Sequence, residues 1–400
     1  MINGEKVIER PFRWAMIGGG RTSQVGYKHR TGALRDNTAF ELVAGAFDIN
    51  FEQCVSFGTN LGVEENRCYR NYKEMFAEEA KRPDGIEAVS IATPNGTHYE
   101  ICKAALEAGL HVVCEKPLFF TSEEGYEIKE LADQKQKIVG VTYGYSGNQL
   151  LQQMRAMIAN GEIGDVRIVD LQYTHGFNAS EVVDSSDAQK WRVDPKIAGP
   201  SFVLGDLSTH TYYISEMILP HMKIQKLLCD RQSFVGTRAP LEDNAHILMH
   251  YDNGAVGTMW VSSVNAGCMD GQRIRIVGSK ASLEWWESNP SELIYEIQGQ
   301  PSQKLIRGMD YLDASCLADE RLGALHVEGL SDFWANIYLK FAIAMDAKDR
   351  NDVEILQNLQ YPDIDAGISG IEWIENCVRS ADQGSVWVKY QTGIPKRINI

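Results

Sequence analysis

Short apolar runs that stop on glycine, proline or an acidic residue punctuate the first third of the chain. Phe12–Gly18 (FRWAMIG) runs into consecutive glycines, 41–47 (ELVAGAF) stops at Asp48, and 86–92 (IEAVSIA) stops at Thr93-Pro94. His111–Cys114 (HVVC) ends on Glu115-Lys116-Pro117, and 137–143 (KIVGVTY) makes a fifth run. Between them, 97–108 and 122–136 carry apolar residues at helical spacing, and Gly109 follows the first where a left-handed cap is expected. Strands interleaved with helices of this length predict an α/β fold with a parallel sheet covered on both faces.

The pattern changes near residue 145. An amphipathic helix is expected over 148–160, a loop over 176–200, and helical spacing again over 201–219. Runs at 246–251 and 255–263, joined by Asp252-Asn253-Gly254, predict a hairpin. Further runs at 273–277, 282–286 and Glu292–Ile297 continue a large, mostly antiparallel open sheet, and helical patterns return at 330–345 and 366–381. A chain of 400 residues exceeds one ordinary core. The expected division falls near residue 145, with a parallel-sheet α/β domain over 1–145 and a second α/β domain, built on the antiparallel sheet, over 146–400.

Composition narrows the function. Lys plus Arg number 39 and Asp plus Glu 54, a formal charge of −15, which disfavours nucleic acid or an anionic membrane as the main partner. The eight cysteines include no C-x-x-C pair and are too sparse for a disulfide framework, so free thiols in a reducing compartment are expected. The first ten residues are polar and charged, unlike a signal peptide, and no uncharged apolar run reaches the ~20 residues of a membrane span. A cytoplasmic protein is the expectation.

Gly18, Gly19 and Gly20 lie between the first strand and a helix, where backbone without Cβ can approach a pyrophosphate and a helix N-terminus can bind it. The G-x-G-x-x-G fingerprint is partial, because Ser23 stands in its third position. Asp48 follows the second strand; its carboxylate suits the adenosine ribose hydroxyls and repels a 2′-phosphate, and no Arg follows it, so NAD is favoured over NADP. The alternative is that Asp48 only caps the next helix. Asp48 lies 28 residues past Gly20, beyond the usual ~20. An enlarged first turn or helix is therefore needed, with Arg21 available for contact.

Thr93-Pro94-Asn95 and Glu115-Lys116-Pro117 sit at strand carboxyl ends, where open parallel sheets bind ligands. An ammonium such as Lys116 can stabilise charge developing on a substrate oxygen. Asp206 and His210 are four apart on a predicted helix and would share a face, with His210 suited to general base work. A zinc site from His98, Cys102, His111 and Cys114 is disfavoured, because helix and strand positions would have to converge on one tetrahedron. No metal is expected.

The strings Thr93-Pro94-Asn95-Gly96-Thr97-His98, Glu115-Lys116-Pro117-Leu118, Trp191-Arg192 and Ala198-Gly199-Pro200, leading to Asp206 and His210, resemble the glucose–fructose oxidoreductase, inositol dehydrogenase and rhizopine-catabolism family, Gfo/Idh/MocA. The resemblance spans nearly the whole chain. It implies a Rossmann domain followed by an α/β domain whose sheet face makes homodimer or homotetramer contacts. It also implies a Lys116–Asp206–His210 site and cofactor contacts that include Thr93, Pro94, Asn95, His98 and Glu115. The family often has Arg after the tyrosine of its interdomain strand, where this chain has Gly144 after Tyr143. Tyr143, Tyr145, Trp191 and Arg192 are then the candidate substrate contacts, aromatic faces suiting the C–H faces of a sugar ring.

The expected activity is NAD-dependent oxidation of a secondary hydroxyl on a non-phosphorylated sugar, glycoside or inositol. Two alternatives share the scaffold: a glycosidase that oxidises a ring carbon transiently, and a non-catalytic NAD sensor. A sensor has no need of lysine, aspartate and histidine together.

Overall fold

The computed structural model describes residues 7–36, 38–181, 190–268 and 271–393. It separates into two compact units. The first runs to Gly144 and takes up Leu330–Ile368; the second holds Tyr145–Gly329 and the chain from Ser369 onward.

In the first unit, β1 (Phe12–Gly18), β2 (Phe40–Ala46), β3 (Ala88–Ala92), β4 (His111–Cys114) and β5 (Val139–Val141) form one sheet. Its order is β2-β1-β3-β4-β5, and every pair is parallel. β3, β4 and β5 are buried at every position, β3 and β4 as central strands of a sheet covered on both faces and β5 as an edge strand whose Val141 N–H is taken by the Pro362 carbonyl oxygen. The chain leaves β1 first toward β2 and later toward β3, so the strand order reverses between β1 and β3. Ligands of such sheets bind at the carboxyl ends of the strands beside that reversal. Gly18 ends β1 there, and Thr93 follows β3.

The second unit holds β6 (Val166–Thr174), β7 (Ile224–Gln232), β8 (Asn244–Tyr251), β9 (Val256–Ser262), β10 (Gly271–Gly278), β11 (Ala281–Trp286), β12 (Glu292–Ile297), β13 (Gln303–Ile306) and β14 (Val388–Lys389). They form a nine-stranded sheet, β13-β12-β11-β10-β6-β9-β8-β7-β14. All pairs are antiparallel except β6 with β9. Burial alternates along β6, β8 and β9, with Val169, Leu171, Ile247, Met249, Met259 and Val261 inward. The helices Gln149–Ala159 and Thr209–Ile218 pack on this sheet. No helix among the described residues is long and apolar enough to cross a membrane.

A single division at residue 145 needs correcting. The helix Leu330–Asp349 returns to the first unit and packs on the helix Gln24–Ala33. It is buried around most of its circumference, which marks a helix enclosed on several sides. The contact relies on missing side chains: a Cβ on Gly32 would lie 3.1 Å from Trp334, and one on Gly140 would lie 2.5 Å from the Phe341 ring.

Candidate active site

At the nucleotide end of the first unit the main chain closes on itself. Gly18 has φ +73°, and a Cβ there would meet the Ala92 carbonyl oxygen at 2.5 Å and the Thr93 side chain at 2.8 Å. A Cβ on Gly20 would meet the Phe47 carbonyl oxygen at 2.7 Å, with Asp48 Oδ2 3.4 Å away. Ser23 is the N-cap of the helix Gln24–Ala33, its hydroxyl accepting the Gly26 N–H at 3.0 Å. Gly26 performs the close packing assigned to the third fingerprint position, since a Cβ there would lie 2.3 Å from the Gly19 carbonyl oxygen. Arg30, from the same helix, donates to that carbonyl oxygen at 2.7 Å. Arg21 is exposed, over the Phe57 ring. Asp48 accepts the Asn50 N–H at 2.9 Å, but the next helix, Phe51–Asn60, is capped by Asn50, whose side chain accepts from Gln53. Asp48 is thus not the capping residue.

The ends of β3 and β4 are tied together by His98. Its Nε2 lies 2.9 Å from the Thr93 carbonyl oxygen and its Nδ1 3.1 Å from that of Pro117. Burial lowers its pKa, although the surrounding carbonyls oppose this. Lys116 precedes Pro117 through a cis peptide bond. Glu115 is buried and bonds to the Thr142 hydroxyl at 2.5 Å and to His29 at 3.1 Å. A polar chain continues from His29 to the Tyr338 hydroxyl, to Ser90 and to Trp14. Burial pushes the Glu115 carboxyl up, but His29 and Lys116 outweigh it and hold Glu115 well below the usual carboxylate range.

In the second unit, Asp206 and His210 share one helical segment that begins with a π-turn, Leu204–Ser208, and continues as Thr209–Ile218. A π-turn displaces the usual carbonyl partners. Here Ser208 and Thr209 hydroxyls bond back to the Leu204 and Gly205 carbonyl oxygens, at 2.5 and 2.8 Å. The Trp373 indole N–H, in turn, donates to the Ser208 hydroxyl at 2.8 Å.

His210 is 6% exposed and lies edge-on to Tyr145, ring centres 5.0 Å apart. The Tyr145 and Tyr173 hydroxyls are 2.8 Å apart. Burial raises both phenols, and the charge of Glu287 adds to it, so both stay protonated. Arg192 Nε lies 3.8 Å from Asp206 Oδ2, and the Arg192 guanidinium lies over Trp191. His175, after β6, is within electrostatic reach of Asp206 and Arg192; burial lowers it and the Asp206 charge opposes that. Its Nδ1 accepts the Phe177 N–H at 3.3 Å, so a neutral His175 carries its proton on Nε2.

Within the second unit the structure therefore brings together Asp206, His210, Tyr145, Trp191 and Arg192. It adds Tyr173, His175 and Glu287, which no motif in the sequence pointed to. Tyr143 is 1% exposed and belongs to the first unit.

Residues 12–143 match the family described as "Oxidoreductase family, NAD-binding Rossmann fold", and residues 155–390 match "Oxidoreductase family, C-terminal alpha/beta domain". The chain belongs to the Gfo/Idh/MocA oxidoreductase family. It is similar to the uncharacterized oxidoreductase YfiI of Bacillus subtilis, 76% identical over 392 residues, covering 98% of this chain and 100% of that relative. It is similar also to an inositol dehydrogenase homolog of Azotobacter vinelandii complexed with NAD+, 58% identical, TM-score 0.96, covering 98% of this chain and 100% of that one. A structure of an inositol dehydrogenase homolog from that organism with NADH and myo-inositol is 57% identical, with TM-score 0.93 and coverage of 97% and 100%.

For a Gfo/Idh/MocA oxidoreductase the first unit has the right cradle for NAD. Main chain fills the space that Cβ atoms would need at Gly18 and Gly20, and the Asp48 carboxylate stands beside them. A Cβ on Gly144 would lie 2.1 Å from Trp334 Nε1, so the returning helix takes the space that a side chain there would need.

Gly26→Ala should force the glycine turn away from its helix. The dissociation constant of NADH, read from its fluorescence, should rise by at least about tenfold, the loss of one good contact. Wild-type affinity in a folded Gly26→Ala protein would show that this close packing does not shape the nucleotide site.

Proposed function

We propose that the chain oxidises a secondary hydroxyl of a cyclic polyol to a ketone, with an inositol as the leading substrate and a sugar or glycoside as the wider class. The observation that carries the reading is the shared placement of His210 and Asp206 on one helical segment beside Tyr145, Tyr173 and Arg192. It is supported by the inositol dehydrogenase homolog with bound myo-inositol, 57% identical to this chain.

Oxidation of R₂CHOH to R₂C=O releases one proton from oxygen and one hydride from carbon. Gly18, Gly20, Ser23 and Asp48, with Arg21, Thr93, Pro94 and Asn95 as further contacts, would hold NAD, which would supply the hydride acceptor. His210 takes the hydroxyl proton as general base. Lys116 hydrogen-bonds the reacting oxygen and favours its alkoxide-like form. Asp206 holds the substrate or His210 in place, and Arg192 limits the carboxylate's freedom. Glu115 and His98 act by fixing the strand ends that carry Lys116 and Thr93. Trp191, Tyr145 and the newly identified His175 are the ring and hydroxyl contacts.

We further propose a homodimer or homotetramer built on the outer face of the second unit's sheet. Ile168, Leu248 and Val256 are 43%, 42% and 42% exposed on adjoining strands, with Ile168 opposite Val256 in register. Ile168 and Val256 adjoin across β6 and β9 and Leu248 lies on the next strand, and exposed apolar side chains on one sheet face are the groups that association would cover.

Three measurements test these readings. NADH formation at ~340 nm should appear with at least one member of a panel of inositols, hexoses and glucosides. Lys116→Met should lower kcat by about 100-fold or more while leaving NADH affinity intact. Glycoside cleavage without net NADH, or unchanged kcat in Lys116→Met, would reject the proposed reaction or the lysine's part in it. Leu248→Glu should reduce the molar mass by light scattering from a multimer to a monomer; a monomeric wild type would contradict the assembly.

A further inference from the structure

The segment carrying Asp206 and His210 starts at Val203, and the first N–H groups of any helix lack partners within it. Here one residue from a distant loop supplies them. Glu242, between β7 and β8, accepts the Phe202 N–H at 2.9 Å and the Leu204 N–H at 3.0 Å through one carboxylate oxygen. Its carbonyl oxygen accepts the Val203 N–H at 3.3 Å. Three successive N–H groups thus end on a single residue that is 1% exposed.

The other Glu242 oxygen lies 3.5 Å from Arg231 Nη1 on β7, and Arg231 is held by Asp382 at 2.5 Å. Asp243, next along the chain, serves other partners: the Phe234 and Val235 N–H groups and Arg238. The anchor acts one turn from the chemistry. Asp206 donates its own N–H to the Phe202 carbonyl oxygen at 2.8 Å, so a shift of Phe202 moves Asp206. Asp206 lies within the π-turn Leu204–Ser208, and His210 follows it on the same segment, so the anchored first turn carries both residues.

We infer that Glu242 is a positioning residue for the reaction: it fixes the first turn of this segment and, through it, the placement of Asp206 and His210. This rests on the reading of those two as reaction residues. The nucleotide cradle lies in the other unit, so Glu242 governs turnover and leaves cofactor affinity alone. Burial pushes the Glu242 carboxyl up to about 7, against the Leu204 N–H and the Arg231 charge that favour its ionised form. Glutamine keeps an oxygen to accept the Phe202 and Leu204 N–H groups and gives up only the 3.5 Å contact with Arg231.

The experiment compares Glu242→Ala, Glu242→Asp and Glu242→Gln, using the fastest substrate among the inositols, hexoses and glucosides. Glu242→Ala removes the acceptor and Glu242→Asp withdraws it by one methylene. Both should lower kcat by on the order of 10- to 100-fold, the effect of a misplacement near 1 Å, with NADH affinity unchanged. Glu242→Gln should stay within about threefold of wild type. Should Glu242→Ala fail to fold, the aspartate and glutamine variants decide. Wild-type kcat in the aspartate variant, or equal losses in aspartate and glutamine variants, would overturn the inference. Asp206→Asn and His210→Ala are assayed in parallel. If they lose activity while the Glu242 variants keep it, the positioning role alone falls; if they keep full activity, the site reading falls and takes the positioning role with it.

Discussion

The nucleotide-binding end of the first unit depends on side-chain volume that is absent. At Gly18, Gly20 and Gly26 a single added carbon would stand 2.3–2.7 Å from a carbonyl oxygen of Gly19, Phe47 or Ala92. No rotamer relieves such a clash, because the obstruction is main chain. The absence lets β1 reverse into its helix directly beside the end of β3 and brings Asp48 next to the turn. Everything redox in this protein follows from that closeness, since an oxidoreductase of this family does its chemistry with a bound dinucleotide.

Polar burial does the complementary work. In the first unit a chain of hydrogen bonds runs from Trp14 through Ser90, Tyr338 and His29 to Glu115 and Thr142, ending one residue from Lys116. In the second, Glu242 and the back-bonding hydroxyls of Ser208 and Thr209 hold an irregular turn that regular helix bonding would not. The partners of Glu115 and Glu242 come from elements distant in sequence, whereas the Ser208 and Thr209 hydroxyls bond back to carbonyl oxygens four residues before them. Such networks cost little when complete and much when broken, which suits them to fixing a geometry.

Much of this was legible in the sequence. β1 and β4 begin and end where the apolar runs do, the hairpin around Asn253-Gly254 forms, and the alternation of strand and helix gave the parallel sheet. β6 was missed although Val169, Leu171 and Tyr173 alternate cleanly, because Arg167 and Asp170 blur the run. The return of Leu330–Asp349 to the first unit could not be read, since a helix buried on most faces does not say which core encloses it. Lys116, Asp206 and His210 were visible as residue types in ordered motifs. His175, Tyr173 and Glu287 were not, because they come together only when β6 and the strand ends around it are folded. The same holds for Gly26: a glycine inside a helix looks like a propensity defect until its contact with Gly19 is seen.

The proposed reaction moves a hydride from a ring carbon to NAD. It is tested most directly by turnover of an inositol, or of the panel substrate that reacts fastest, carrying deuterium on its ring carbons, with the isolated NADH analysed by mass spectrometry. One deuterium per NADH, at C4 of the nicotinamide, is the predicted result. NADH free of deuterium, or ring oxidation with no NADH at all, would contradict it.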